Sequence, residues 1–329
     1  MEQRRQKSWI LIGITAILLT VSMIVSVGIG SIHIAPTESI RTLFGEGAEL
    51  SQTILWNLRI PRVLVAVIVG TNLAVSGAFL QAVMRNPLAD PGLTGVSSGA
   101  AVTVLVIVLL FPNFGSLAPL AGMLGGLVAV VIVYALAWKN GKISPMRIIL
   151  SGVAVNAIMG GIIGLLSILY SDRLPAVVQW MNGSLAAKGM GDVALLLPYS
   201  IIGWIFAILF IRKANILSLG DDIAVNLGEK MNQTRIMLSV IAVYLAAISV
   251  SVVGLLGFVG LVVPHMARFL VGSNYWRLIP MSMVLGAFVL LVADTIGRSL
   301  FAPLDIPAGI IMAIVGAPYF LYLMRTGDV

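Results

Sequence analysis

The residues able to do chemistry in this chain are few and scattered. Asp294 is the one carboxylate inside a long apolar run, a placement that in a membrane often marks ion or proton coupling. It also lies four residues before Arg298, the spacing of an intrahelical ion pair, so a structural pairing near the outer end of the helix competes with that reading. Of the two histidines, His33 stands alone after the first apolar run and His265 sits beside Pro264, so they give no metal constellation. Zero cysteines exclude thiolate metal sites, iron–sulfur clusters and a disulfide framework. There is no His-Glu-x-x-His and no Gly-x-Ser-x-Gly, and the adjacent acids Asp221 and Asp222 fall in a polar loop, which argues against an intramembrane enzyme. The nearest approach to a phosphate-binding loop, Gly141-Lys142-Ile143-Ser144, lacks the upstream glycine and the adjacent hydroxyl. If ATP drives this protein, the energy must arrive through a docking surface.

The elements that would carry these residues are membrane spans. The 329 residues are 59% hydrophobic and 10% charged, with a mean hydropathy of +1.07. Soluble chains carry about 25% charged residues, so a soluble enzyme, a nucleic-acid binder and a disordered scaffold are excluded. Apolar runs lie at about 9–30, 56–84, 93–111, 115–138, 145–170, 192–211, 233–257, 258–271, 278–300 and 306–325, judged against the roughly 20 residues a helix needs to cross a bilayer. The first is too long for a signal peptide and reads as a retained span. The stretch 233–271 is interrupted only by Gly254, Gly257 and Gly260, and charge decides its division. With ten spans and the N-terminus inside, 14 of the 20 basic residues fall on the inner side: Arg4, Arg5, Lys7, Arg85, Lys139, Lys142, Arg147, Arg212, Lys213, Lys230, Arg235, Arg268, Arg277 and Arg325. Merging 233–271 into one span would reverse everything after it and spoil that asymmetry. The expected architecture is therefore an all-α polytopic membrane protein of about ten transmembrane helices, one domain over 1–329, both termini cytoplasmic.

Four features stand out against this frame. Between Arg212 and Arg235 a cytosolic loop, about 213–232, is too polar to span; it reads as a short helix capped by Ser218 or Asp221, ended by Gly228, with Ile223, Ala224 and Leu227 as an apolar stripe. That stripe packs on the protein's own helix ends or on a partner. The turn Arg85-Asn86-Pro87-Leu88-Ala89-Asp90-Pro91-Gly92 is stiffened by two prolines and a glycine. Asn156, mid-span among Ala, Val, Ile and Met, either bonds a neighbouring helix or faces a wet cavity, because an unpaired amide there costs roughly 1–3 kcal/mol. Arg59, Arg62 and Arg298 lie at outer span ends, where positive charge is scarce; interfacial snorkelling is the plain explanation.

Read in order, these segments resemble the FecCD/BtuC-type ABC permeases, the membrane subunits of iron-siderophore, haem and cobalamin importers. The resemblance runs over essentially the whole chain. It is carried by Arg59-Ile60-Pro61-Arg62, by Ser76-Gly77 and Gln81 leading into Arg85 to Pro91, and by Gly152-Val153-Ala154-Val155-Asn156. Trp180-Met181-Asn182-Gly183-Ser184-Leu185, Leu219-Gly220-Asp221 and Gly257-Phe258-Val259-Gly260-Leu261 with Pro264-His265-Met266-Ala267-Arg268 continue it, and Asp305-Ile306-Pro307 and Gly316-Ala317-Pro318 complete it. Asp305 replaces the more usual Glu, and Ser273-Asn274-Tyr275-Trp276-Arg277 replaces an Asp-His-Arg turn.

The resemblance implies a subunit of an importer in a bacterial cell membrane. It would pair with a second permease subunit, homo- or heterodimeric, with two cytosolic ABC ATPases below and an extracytoplasmic solute-binding protein above. No cofactor would be bound by this chain, ATP and Mg being used by the ATPases. Residues Leu219, Gly220, Asp221, Asp222, Ile223, Ala224, Leu227 and Gly228 would form the ATPase-coupling element; Arg59, Arg62 and Arg298 would receive acidic side chains of the binding protein; Asn156 is a candidate for the translocation path. An ATP-independent secondary transporter is the alternative class, disfavoured by the missing mid-membrane proton relay. Ferric siderophores are the commonest cargo of the class, haem and cobalamin follow, and nothing in the chain chooses between them.

Overall fold

The computed structural model describes residues 2–29, 41–42 and 49–326, and within them the chain is a helical bundle with one two-residue-stranded hairpin. His33 lies outside the described residues. Seven helical segments are long and apolar enough to cross a membrane, and three shorter apolar helices, Val96–Leu110, Val259–Val271 and Ala308–Tyr322, bring the set to ten among the described residues. The helices are α1 (Glu2–Gly28), α2 (Glu49–Ile54), α3 (Ile60–Met84), α4 (Val96–Leu110), α5 (Ala118–Ala137), α6 (Pro145–Leu169) and α7 (Leu174–Met181). They continue with α8 (Met190–Leu209), α9 (Ile211–Ser218), α10 (Asp221–Asn226), α11 (Met231–Val253), α12 (Val259–Val271), α13 (Tyr275–Ser299) and α14 (Ala308–Thr326).

Helix α3 is the axis of the bundle, buried almost throughout from Pro61 to Met84. Lipid tails are as apolar as its leucines, so close backbone approach and interhelical hydrogen bonds hold the neighbours to it. A side chain at Gly70 or Gly286 would run into the other's carbonyl where α3 crosses α13, and Gly77 meets Gly260 of α12 in the same way. Toward α8 and α11 the contact is polar: Asn72 donates to Ser200 (2.8 Å) and Ser249 (3.1 Å) and accepts from Trp204 Nε1 (2.7 Å). Every member of that network has a partner, so the buried amide is not an orphan.

The division of 233–271 is real, and its cause is local. Helix α11 ends at Gly254, at φ +80, and α12 begins after Phe258, at φ +67. At about 1.5 Å per residue the 13 residues of α12 span only about 20 Å, so the non-helical link has to cover part of the depth. Backbone at such depth survives only where protein satisfies it. Here Ser184 donates to Val253 O (2.8 Å), Leu255 to Trp180 O (3.3 Å), and Gly309 to Gly183 O (3.1 Å).

One element was not expected. Trp138–Lys139 pairs with Lys142–Ile143 in an antiparallel hairpin, turned by Asn140 (φ +52) and Gly141 (φ +73). Asn-Gly is the residue pair that a two-residue turn with both φ positive requires.

Candidate functional site

Two regions at opposite ends of the bundle gather the charged and exposed apolar residues. At one end, which the charge asymmetry of the sequence assigns to the inner side and the opposite end to the outer, α9 is buried through Ile211, Ala214 and Leu217, and the chain then turns at Gly220, whose φ of +108 favours glycine. The expected side-chain cap is absent from α10. Ser218 Oγ donates backwards to Asn215 O (2.7 Å), and Asp221 is engaged elsewhere: both its oxygens accept from Arg235 Nη2 at 2.8 Å, with Arg85 Nη1 3.6 Å away. Arg235 also donates to Ile143 O of the hairpin (2.9 Å) and is itself buried. Asp221 and Asp222 occupy the first turn, where the helix dipole favours negative charge. The far end closes on Gly228, at φ +82, with Glu229 N–H donating to Ala224 O (3.0 Å) and Gly228 N–H to Val225 O (2.9 Å). Glu229 is held there by Thr234 (2.8 Å) and Lys213 (3.0 Å), hydrogen bonds that keep its carboxyl below the ordinary glutamate range.

The apolar stripe divides. Ala224 is fully buried, whereas Ile223 and Leu227, four residues apart, are 50% and 60% exposed, Leu219 before the Gly220 turn is 54% exposed, and Val225 is exposed beside them. Residues four apart share a helix face and adjacent ones do not, so Ala224 belongs to the inward side and is not part of the outward one. A six-residue helix is marginal alone; its anchors to Arg235, Arg85 and Lys213 place it and leave an apolar face bare.

At the outer end the three arginines are not snorkelling. Arg59 Nη1 donates to Val27 O (2.8 Å) and Gly28 O (3.0 Å), closing the end of α1. Arg62 places Nε and Nη2 on Asp294 (2.8–3.1 Å) and Nη1 and Nη2 on Asp305 (2.7 and 2.9 Å). Arg298 bonds the carbonyl and the hydroxyl of Ser26. The expected pairing of Asp294 with Arg298 exists only as a loose contact of 3.8 Å; the close partner of this fully buried carboxylate is Arg62, from another helix. The side chains of Arg62 and Arg298 are 12% and 7% exposed, whereas Asp305 is 39% exposed. Arg59, Arg62, Arg298 and Asp305 line a cavity of about 220 Å³ together with Lys188, whose ammonium pKa is pushed down by burial.

Asn156 takes the first of its two expected options. Its Nδ2 donates to Gly92 O (2.8 Å) and its Oδ1 accepts from Ser98 Oγ (2.5 Å), so the amide ties α6 to the Pro91–Thr94 turn and to α4. With a bond at each end of its amide, it clamps a turn. That turn is further fixed by Asp90 Oδ1 accepting from Gly92 N (2.8 Å) and Asn86 Oδ1 from Leu88 N (2.9 Å).

Arg235 and Asn72 were missed as organising residues, and Arg85 was read only as part of a stiff turn, because each acts on a partner 14 to 177 residues away. Among the described residues no cluster of three or more His, Cys, Asp or Glu could hold a metal ion.

Known proteins match this arrangement over nearly the whole chain. Residues 18–326 match the FecCD transport family. The Fe(3+)-citrate import system permease protein YfmE of Bacillus subtilis is 38% identical over 324 residues, 98% of this chain and 97% of that protein. The hemin transport system permease protein HmuU of Yersinia pestis is 38% identical over 96% of this chain and 95% of its own length. Among solved structures, an inward-facing metal-chelate type ABC transporter superposes with a TM-score of 0.82 at 29% identity, covering 96% of this chain and 99% of that one.

Proposed function

The chain belongs to the FecCD transport family, and on that premise we propose that this permease carries ferric-siderophore complexes inward across a bacterial cytoplasmic membrane. It is the membrane subunit of an ABC importer; in this reading it forms one domain over 1–329 with both termini cytoplasmic and has no ATPase site of its own. The partners are a second permease subunit, two cytosolic ABC ATPases that use ATP and Mg, and an extracytoplasmic solute-binding protein. The observation that carries the reading is the bare apolar side chains of Ile223 and Leu227 at α10, with Leu219 exposed just before the Gly220 turn, on an element pinned at both ends. Two turns of helix exposing such a face need a partner to cover it, and an ATPase supplies what this chain lacks.

The outer cavity supports the binding-protein contact through Asp305. Arg62 already has one carboxylate beneath it and one above, and only the upper one is accessible. An incoming glutamate would take the place of Asp305 on the same guanidinium fork, an exchange of like for like that suits charge-assisted pairs. The test of the energy source is uptake of a ferric siderophore in vesicles: vanadate should abolish it and an uncoupler should leave it largely intact. The reverse pattern would assign the chain to secondary transport.

A further inference from the structure

Three cavities of the bundle adjoin one another in series, each sharing a lining residue with the next. The first, about 780 Å³, lies beside α10; Lys142, Lys230, Arg235, Asp221 and Asp222 are among the residues that line it. Through Ile143 it adjoins a groove of about 490 Å³ between α5 and α11, walled by Val131, Tyr134 and Trp138. Through Ile236 and Val240 that groove adjoins another of about 460 Å³ between α11 and α8, walled by Phe206 and Phe210. The two grooves thus flank one ridge of α11. Val131, Phe206 and Val240 are each about half exposed or more, and no other helix among those described covers them.

We propose that these adjoining cavities form a binding site for one anionic phospholipid of the inner leaflet, its phosphate at Lys142 and Lys230 and its two acyl chains on either side of the Ile236–Val240 ridge. Three observations set it apart from a casual lipid contact. In the mouth Asp221 neutralises Arg235, which leaves Lys142 and Lys230 against Asp222 alone, with Lys139 paired beside Lys142 in the hairpin. The balance is positive, as recognition of an anionic headgroup requires. Arg235, almost wholly buried, moreover leaves its Nε–H without an acceptor while its other nitrogens bond Ile143 and Asp221. A buried donor of that kind marks an absent acceptor. Trp138, half exposed at the start of the hairpin, sits where interfacial aromatics meet headgroups. Because Asp222, Val225 and Asn226 of α10 also line the mouth, a lipid seated there would buttress the coupling helix. The proposal rests on the inner placement of α10 and is independent of the cargo.

Lipid retention tests it without any uptake measurement. The purified permease–ATPase complex, exchanged from mixed phosphatidylglycerol and phosphatidylcholine into detergent, should keep phosphatidylglycerol preferentially, as read by mass spectrometry of the intact complex. Replacing Lys142→Gln and Lys230→Gln should weaken that preference by roughly fivefold each, the equivalent of about 1 kcal/mol per basic residue near an anionic headgroup. Val240→Trp, or Val131→Trp should the first variant assemble poorly, should fill the grooves and lower retention of both lipids. Equal retention of the two lipids by the wild type, or unchanged retention in the lysine and tryptophan variants, would overturn the proposal. So would a lipid held by the permease alone and lost on adding the ATPases, which would assign the mouth to a protein contact.

Discussion

The two ends of this bundle treat their charged residues in opposite ways. At the outer end three arginines are bonded within the chain, Arg59 and Arg298 buried and Arg62 partly so, and Arg62 is gripped by two carboxylates at once. At the inner end Arg235 is buried likewise, but it serves to hold α10 in place while that helix turns apolar side chains outward. A partner at the inner face finds an uncovered apolar surface; a partner at the outer face finds guanidinium groups already engaged and must compete with Asp305.

The contrast can be broken most severely from the inside. Ile223→Asp should abolish coupled uptake and co-purification of the ATPases while the protein still inserts, because it places a charge where apolar area would be buried; wild-type yield of the complex would show that this face docks nothing. Arg62→Glu should come next. It leaves the buried Asp294 without its partner and adds a like charge beside it, a loss of about 3–5 kcal/mol when a buried pair is broken, and is expected as loss of folded protein in a detergent stability assay. Charge reversal here is thus a folding test before it is a docking test. Asp221→Asn should be milder. Charge-assisted bonds worth roughly 1.5–3 kcal/mol hold α10 to Arg235, so transport per ATP hydrolysed should fall about tenfold with the ATPases still bound, whereas unaltered coupling would make the anchor dispensable. Smallest is Asp305→Asn, which frees the accessible side of Arg62 and keeps Asp294. Association with the solute-binding protein should quicken a few-fold and become more sensitive to salt; slower association would make Asp305 a docking residue and not the competitor.

Much of the architecture was legible because bilayer thickness and charge asymmetry act on composition alone. The ten apolar segments and the break within 233–271 follow from run lengths and from where the arginines must lie, and the helices observed on either side of Gly254 agree with that division. The hairpin at Trp138–Ile143 escaped although Asn140-Gly141 announced it, because six residues between two long spans passed for a plain loop. Less of the site could be read. Spacing along one helix suggested Asp294 with Arg298, yet a residue four positions away lost to Arg62, which approaches from a different helix with a better-aimed fork. The capping guess failed for the same reason: Ser218 and Asp221 have the right chemistry for a cap, but nearer partners took them, Asn215 O and Arg235. Local sequence shows what a side chain can bond; tertiary packing chooses which partner it meets.

The absence of cysteine offers a clean test of the inner face. Ile223→Cys would be the only thiol in the chain, on a side chain that is half exposed. The rate at which a polar maleimide labels it, measured on the permease alone and on the complex with its ATPases, reports directly whether that face becomes covered. Strong protection on assembly, with a control Cys at exposed Lys139 labelled equally in both states, is the predicted result. Equal labelling of Cys at position 223 in both states would contradict the assignment of α10 as the ATPase-docking helix.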